Sequence, residues 1–260
     1  MSLRGQIMKA AHSRFRAFGI HLACSLVVVI FAWLLVGVWY PRPYIDILGG
    51  GQIFLVLMLV DFVAGPCLTF LVFNEKKSRR ELSVDISVIA LLQAAALSFG
   101  VWTMYTARPV YLVFEYSRMA VVTAADVKES DLQSAPESFR KLPSDGPRVI
   151  SLRTFKNPAE EYDSVVRAMA GQPQAAQPNL WQPYGSARTE ILKAALPLKD
   201  LMARKGGVQQ LSDALAATGL PADKVKYLPL QGRERSWTVL LDGSSGEPMG
   251  FAPVDSFQAN

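Results

Sequence analysis

The chain has 260 residues, half of them hydrophobic and only 19 % charged, with a mean hydropathy of +0.19. A soluble domain carries about 25 % charge, so this is neither an ordinary soluble protein nor one that lies wholly in a membrane. The formal charge of +5 is unevenly placed: residues 1–105 hold nine Lys/Arg against five Asp/Glu, and residues 106–260 hold eighteen against seventeen. The near-neutral second part has no cationic excess for a phosphate backbone, which argues against nucleic acid as a partner. Both histidines (His12, His21) and both cysteines (Cys24, Cys67) fall within the first 67 residues. The rest of the chain can therefore hold no Ser-His-Asp or Cys-His site, no disulfide and no His/Cys zinc site. Nothing in the sequence calls for a metal or a cofactor.

Residues 1–16 form a basic tail with Arg4, Lys9, Arg14 and Arg16. A three-helix transmembrane region, 17–105, follows, built from apolar stretches at 17–40, 53–73 and 84–105. A helix needs about 20 mostly apolar residues to cross roughly 30 Å of hydrocarbon, and each stretch is long enough. The first ends in Gly37-Val38-Trp39-Tyr40-Pro41, which offers no small-residue cleavage site, so it reads as a signal anchor. The 74–83 loop carries Lys76, Lys77, Arg79 and Arg80. Basic loops stay cytoplasmic, which puts the N-terminus and 74–83 inside, and 41–52 and everything after Tyr105 outside. Trp39-Tyr40, Trp102 and Tyr105 then form an aromatic belt at the outer interface. Residues 106–260 are then an extracytoplasmic domain carried by a three-span anchor.

Residues 106–260 read as an α+β domain. Val110–Tyr116 and Met119–Thr123 are β-branched and aromatic and form a hairpin, and Arg148–Arg153 is a further strand. Asn157-Pro158-Ala159-Glu160-Glu161 starts a helix that fades by Gly171. Residues 172–186, rich in Pro and Gln, read as a loop or exposed arm bearing Trp181 and Tyr184. Helical spacing returns at 188–203, with a break at Pro197, and again at Val208, Leu211 and Leu215. Strands at 225–230, 236–241 and 249–254 close the chain, the last two joined by a turn at 242–246.

The polar residues inside the apolar stretches each admit two readings. Asp61 lies about 12 Å below the outer end of its helix, where a carboxylate costs on the order of 3 kcal/mol. It either binds a client helix or pairs within the bundle. Gln93 can bond to a neighbouring helix or to a client, and Gly65-Pro66 is a kink or a close-packing point. His21 and Asp85 lie near the inner face, where they can meet each other, and both are structural. Two enzyme readings fail on geometry or on missing motifs. Asp61 and Asp85 sit about 18 Å and about 3 Å from the inner face, too far apart for a carboxylate dyad. Ser138-Phe139-Arg140-Lys141 has the spacing of a serine-lysine pair, but Pro136 and Pro143 crowd the helix that motif needs and its companion motifs are missing.

The first 125 positions resemble the type IV pilin accessory protein family (the TfpX/TfpZ group). The resemblance rests on Phe18-Gly19-Ile20-His21-Leu22 and Trp39-Tyr40-Pro41 in the first stretch, and on Val60-Asp61, Gly65-Pro66 and Val72-Phe73-Asn74 in the second. Asp85 with Leu91-Leu92-Gln93, and Arg108 to Glu115, continue it in order. It fades after about Val127 and returns weakly at Trp237–Gly246. The resemblance implies a non-enzymatic inner-membrane accessory factor that works with one major pilin, supporting its accumulation or assembly as a dedicated chaperone. Arg108 either anchors to lipid phosphate or makes a salt bridge to Glu115 or Asp46 that fixes the domain over the bundle, and the resemblance favours the second. A pilin has one apolar helix in the bilayer and a globular part outside, so partner contacts are expected from Asp61, Gly65 and Gln93 in the membrane, while Trp181 and Tyr184 outside it either contact the partner or, as is the commoner fate of such aromatics, tuck onto the core. Membrane lipids are the other partner. A contrasting expectation is a membrane-anchored sensor whose outer domain binds a small ligand.

Overall fold

The computed structural model describes residues 3–73, 77–204, 209–232 and 235–257. Asn74, Glu75 and Lys76 of the basic loop and Val208 lie outside the described residues. The chain divides into two compact units, Met1–Val38 with Gly50–Tyr105, and Trp39–Gly49 with Thr106–Asn260.

In chain order the helices begin with α1 (Leu3–Trp39) and the four-residue α2 (Tyr44–Ile47), which belongs to the second unit. Then come α3 (Gly50–Leu59), a π turn (Val60–Ala64) and α4 (Gly65–Val72), which form one rod, and α5 (Arg79–Thr106). Among the described residues, three helices are long and apolar enough to cross a membrane: His12–Trp39, Gly50–Val72 and Arg79–Thr106. All three begin before their apolar stretches. No proline separates Leu3 from Ala17, and the basic tail is itself helical. The third starts at Arg79 because Ser78 and Glu81 cap it reciprocally: the Glu81 N–H donates to Ser78 Oγ at 3.3 Å, and the Ser78 N–H to Glu81 Oε2 at 2.8 Å.

The π turn has a local consequence. A ladder that pairs residues five apart would match the Asp61 carbonyl with the N–H of residue 66, which is a proline and has none. That carbonyl is left for donors from other helices.

The second unit is built on a mixed eight-stranded sheet ordered β4-β3-β1-β2-β6-β7-β8, with β5 also on β6. The N-terminal part is β1 (Pro109–Glu115), β2 (Arg118–Thr123) and β3 (Arg148–Leu152), followed by α6 (Pro158–Met169) and β4 (Trp181–Pro183). The C-terminal part runs α7 (Arg188–Ala194), β5 (Leu196–Pro197), α8 (Leu198–Arg204), α9 (Gln209–Thr218), β6 (Val225–Gln231), β7 (Trp237–Asp242) and β8 (Pro248–Ala252). A short parallel pairing, Met119 opposite Leu230 and Ala120 opposite Gln231, joins the two halves into one α+β sheet.

Alternation along the strands sends neighbours to opposite faces. Leu112, Phe114, Leu228, Val239 and Leu241 pack on one side with Ile191 of α7 and with Tyr44 and Ile47 of α2. Tyr111, Val113 and Ile150 pack on the other with Leu180 and Trp181, and Val110 joins them because the register of β1 shifts between Pro109 and Tyr111. A third cluster gathers Tyr227 and Leu240 against Leu198 and Leu201 of α8 and Leu211 of α9. The 41–52 connection thus supplies part of the sheet's core.

The reading of 172–186 as a loose arm is corrected. The segment folds as 3-10 turns at Gln174–Ala176 and Pro178–Leu180, then β4, then a further turn at Tyr184–Ala187. Its prolines set the backbone, and two of its glutamines, Gln172 and Gln177, are buried as internal donors. Gln177 Nε2 donates to the Ser164 and Gln172 carbonyls at 2.9 and 3.1 Å, and Gln172 Nε2 donates to Asp131 Oδ2 at 2.7 Å.

Candidate partner-binding site

In the membrane unit the polar side chains converge on the π turn. Ser25 Oγ of α1 and Gln93 Nε2 of α5 both donate to the Asp61 carbonyl at 3.1 Å, which supplies the partners Pro66 cannot. The same Gln93 nitrogen donates to Asp61 Oδ1 at 3.2 Å. Three helices are thereby tied at one level. One turn further along, His21 Nδ1 and Thr69 Oγ1 are hydrogen-bonded at 2.6 Å. The expected meeting of His21 with Asp85 is corrected: Asp85 takes Lys77 Nζ at 2.6 Å, and His21 is committed to Thr69.

Gly65 lies under Gln93, where a Cβ would collide with the amide, and Gly100 of α5 lies under Leu57 of α3 in the same way. Absent side chains let the second and third spans close to where the Asp61–Gln93 bonds form. Beside this contact runs a groove of about 220 Å³ lined by Val56, Leu57, Val60, Ala96, Leu97 and Gly100, with Asp61 and Gln93 also on its wall. Asp61, Gly65 and Gln93 are therefore brought together. Ser25 and Thr69 complete the arrangement, and their only signal in the sequence is a hydroxyl inside an apolar run.

The residues expected to act in the outer domain are placed differently. Trp181 is 1 % exposed, its Nε1–H donating to the Ala175 carbonyl at 2.8 Å and its ring 4.8 Å from that of Tyr111. The Tyr184 hydroxyl is buried and donates to the Gly246 carbonyl at 2.6 Å. Both are core residues. Glu115 accepts from Arg118 Nε at 2.8 Å, so it is not the partner of Arg108. Seven residues of extended chain put those two about 23 Å apart. Arg108 is buried and its Nε donates to the Pro143 carbonyl at 3.3 Å.

The strongest electrostatic feature of this unit lies elsewhere. Arg153 holds Glu160 through two bonds, at 2.6 and 2.9 Å, and the Lys156 N–H adds a third at 2.6 Å. These hold the Glu160 carboxyl down at about 2. Asp242 is likewise pulled down to about 2 by the hydroxyl and N–H groups of Ser244 and the N–H of Ser245 in the β7–β8 turn. Burial, and then the neighbouring Glu115 carboxylate, push the Tyr116 hydroxyl up to about 12. Ser138 lies in a three-residue 3-10 turn, so Ser138 and Lys141 do not share an α-helix face. Among the described residues no three His, Cys, Asp or Glu side chains cluster as metal ligands.

The chain is 36 % identical to the fimbrial assembly protein, serogroup I, of Dichelobacter nodosus over 228 residues, which is 86 % of this chain and 89 % of that protein. The chain belongs to the fimbrial assembly protein family. The serogroup E1 fimbrial assembly protein of the same organism is 35 % identical over the same shares. The fimbrial assembly protein of serogroups C1 and C2 is 36 % identical over 118 residues, 45 % of this chain and 90 % of that protein. The family profile of fimbrial assembly protein FimB matches residues 9–49, from α1 through α2. No solved structure matches the chain.

Proposed function

We propose that this membrane protein acts in type IV pilus biogenesis as a non-enzymatic, chaperone-like accessory factor that binds one major pilin. The groove beside Asp61 and Gln93 carries the reading. It lies within two spans long and apolar enough to cross a membrane, and its wall combines apolar side chains with a carboxylate and an amide. A lipid tail gains nothing from those polar groups, whereas a transmembrane helix with a hydroxyl or amide on one face does. The pilin's apolar helix is the occupant, and the folded outer domain takes its globular part. Fimbrial assembly relatives aligned over nearly the whole chain support the biological setting.

The proposed orientation has the N-terminus and the 74–83 loop in the cytoplasm and the domain in the periplasm, in the inner membrane. Packing of α2 into the same unit as residues 106–260 supports it, because it puts the connection after the first span and the chain after the third on one side. A reporter fused after Ser78 is expected to behave as cytoplasmic, and one fused at the C-terminus as periplasmic.

The deciding experiment is co-purification of the pilin with the full-length chain, with and without Ala96→Trp, which fills the groove. The expected result is normal abundance of the variant with pilin recovery lowered at least several-fold. Equal recovery would remove the groove from the account, and no pilin with the unaltered chain would remove the function.

A further inference from the structure

Helix α6 is built inside out. The side that meets the rest of its unit is polar. Glu160 is held by Arg153, the buried Ser164 gives its carbonyl to Gln177, and Arg167 donates to Asn179 Oδ1 at 3.1 Å. The opposite side carries Tyr162, Val165, Val166 and Met169 at i, i+3, i+4 and i+7, the spacing that normally faces a core. All four are exposed, Tyr162 by 69 % and Met169 by 84 %. Beside the stripe is a hollow of about 420 Å³, walled by Val165, Ala168 and Met169 on one side and Pro173 and Gln174 on the other. Its end is closed by the Glu115–Arg118 pair. An apolar ridge next to a hollow is the shape that receives a protruding side chain.

The charges at the stripe's edges select among occupants. At about 100° per residue, Glu161 and Asp163 lie on its two flanks, and both are exposed. A helix that lies on a bilayer carries Lys and Arg there to meet anionic headgroups, so these flanks oppose a lipid surface. A second copy would set carboxylates against carboxylates. A protein surface with an apolar ridge between lysines or arginines fits both the shape and the sign.

We infer that the outward face of α6 and the hollow beside it dock the globular part of the pilin through such a ridge, an inference that rests on the pilin being the client. The stripe is then the aqueous counterpart of the membrane groove, and the Arg153–Glu160 and Gln177–Ser164 bonds serve to turn α6 over and hold its apolar side outward.

The experiment is in-cell photocrosslinking from full-length chains with benzoylphenylalanine at position 162 or 169, combined with pilin co-purification by Met169→Glu and by the double variant Glu161→Lys/Asp163→Lys. Expected are adducts to a pilin peptide in which apolar residues are flanked by Lys or Arg, and about a tenfold loss of recovered pilin in both variants, with chain abundance unchanged. Pilin recovered normally by every variant, with no pilin adduct, would overturn the inference and leave the functional reading standing. Adducts only to phospholipid or to a second copy would overturn it in favour of those occupants. A double variant that captures more pilin than the parent would overturn the charge argument and the choice of partner surface with it. Absence of pilin from the unaltered chain's preparations would overturn both the inference and the functional reading.

Discussion

Leu91 on α5 and Met169 on α6 are both large, apolar and mostly exposed, at 71 % and 84 %, yet the two exposures have opposite meanings. Leu91 lies in a span whose solvent is hydrocarbon, where an outward leucine costs nothing and carries no information. In such a unit apolar contact cannot choose partners, because lipid competes on equal terms. Choice falls to the few groups lipid cannot satisfy: the Asp61 carbonyl and carboxylate, the Gln93 amide, Ser25, and the glycines that let them meet. Met169 lies in a domain that buries three apolar clusters and has the means to bury a fourth. There an apolar stripe left outside is the anomaly. In one unit the buried polar residue is informative, and in the other the exposed apolar one.

The largest effect tests the domain's core. Trp181→Ala removes a side chain packed against Tyr111 and Phe139 and the donor to Ala175, and is expected to cost about 3–5 kcal/mol. Limited proteolysis of the full-length chain in membranes should show the domain degraded while the spans persist. A protease-resistant domain would mean that Trp181 is not a core residue. Next comes the direct contrast. Leu91→Lys should make insertion of the third span less favourable by about 3 kcal/mol, whereas Met169→Lys should leave stability within about 0.5 kcal/mol. An insertion assay and a thermal melt read the two, and similar outcomes would erase the distinction between the units. Gln93→Leu leaves the Asp61 carboxylate without its donor and should destabilise the bundle by about 1 kcal/mol, seen as a lower midpoint in nanodiscs.

The smallest effect is the acid limb. Glu160 is ionised in the folded state down to about 2, against an unfolded value of about 4.3. Its contribution is therefore complete above the unfolded value and fades as pH falls from there toward about 2. Asp242 behaves likewise, from an unfolded value of about 3.9 toward about 2. Glu160→Gln should flatten, without abolishing, the fall in thermal midpoint between those pH values. An unchanged acid limb would show that the Arg153 pair adds nothing.

Much of this architecture was legible locally. The spans declare themselves by apolar length, α6 by its Asn157 cap and Pro158, and the first hairpin by two β-branched and aromatic runs with Ser117-Arg118 between them. Long-range pairing was not. The parallel contact of β2 with β6 rests on two residue pairs, which no periodicity reveals. Segment 172–186 has the composition of a linker, and its order comes from glutamines whose acceptors lie in other elements. The amphipathic spacing of α6 is plain in the sequence, but which side turns inward is settled by Arg153 and Gln177, outside the helix. At the candidate site Asp61 and Gln93 stood out as polar residues in apolar runs. Their junction at the π turn depended on Pro66 lacking one hydrogen.

One measurement meets the account most directly. In cells that make pili, a photocrosslinker placed on α5 at position 97 faces the groove, and one at position 91 faces lipid. Pilin captured from position 97 and not from position 91, through its membrane helix, is the predicted result. Equal capture from both positions, or phospholipid alone from both, would contradict it.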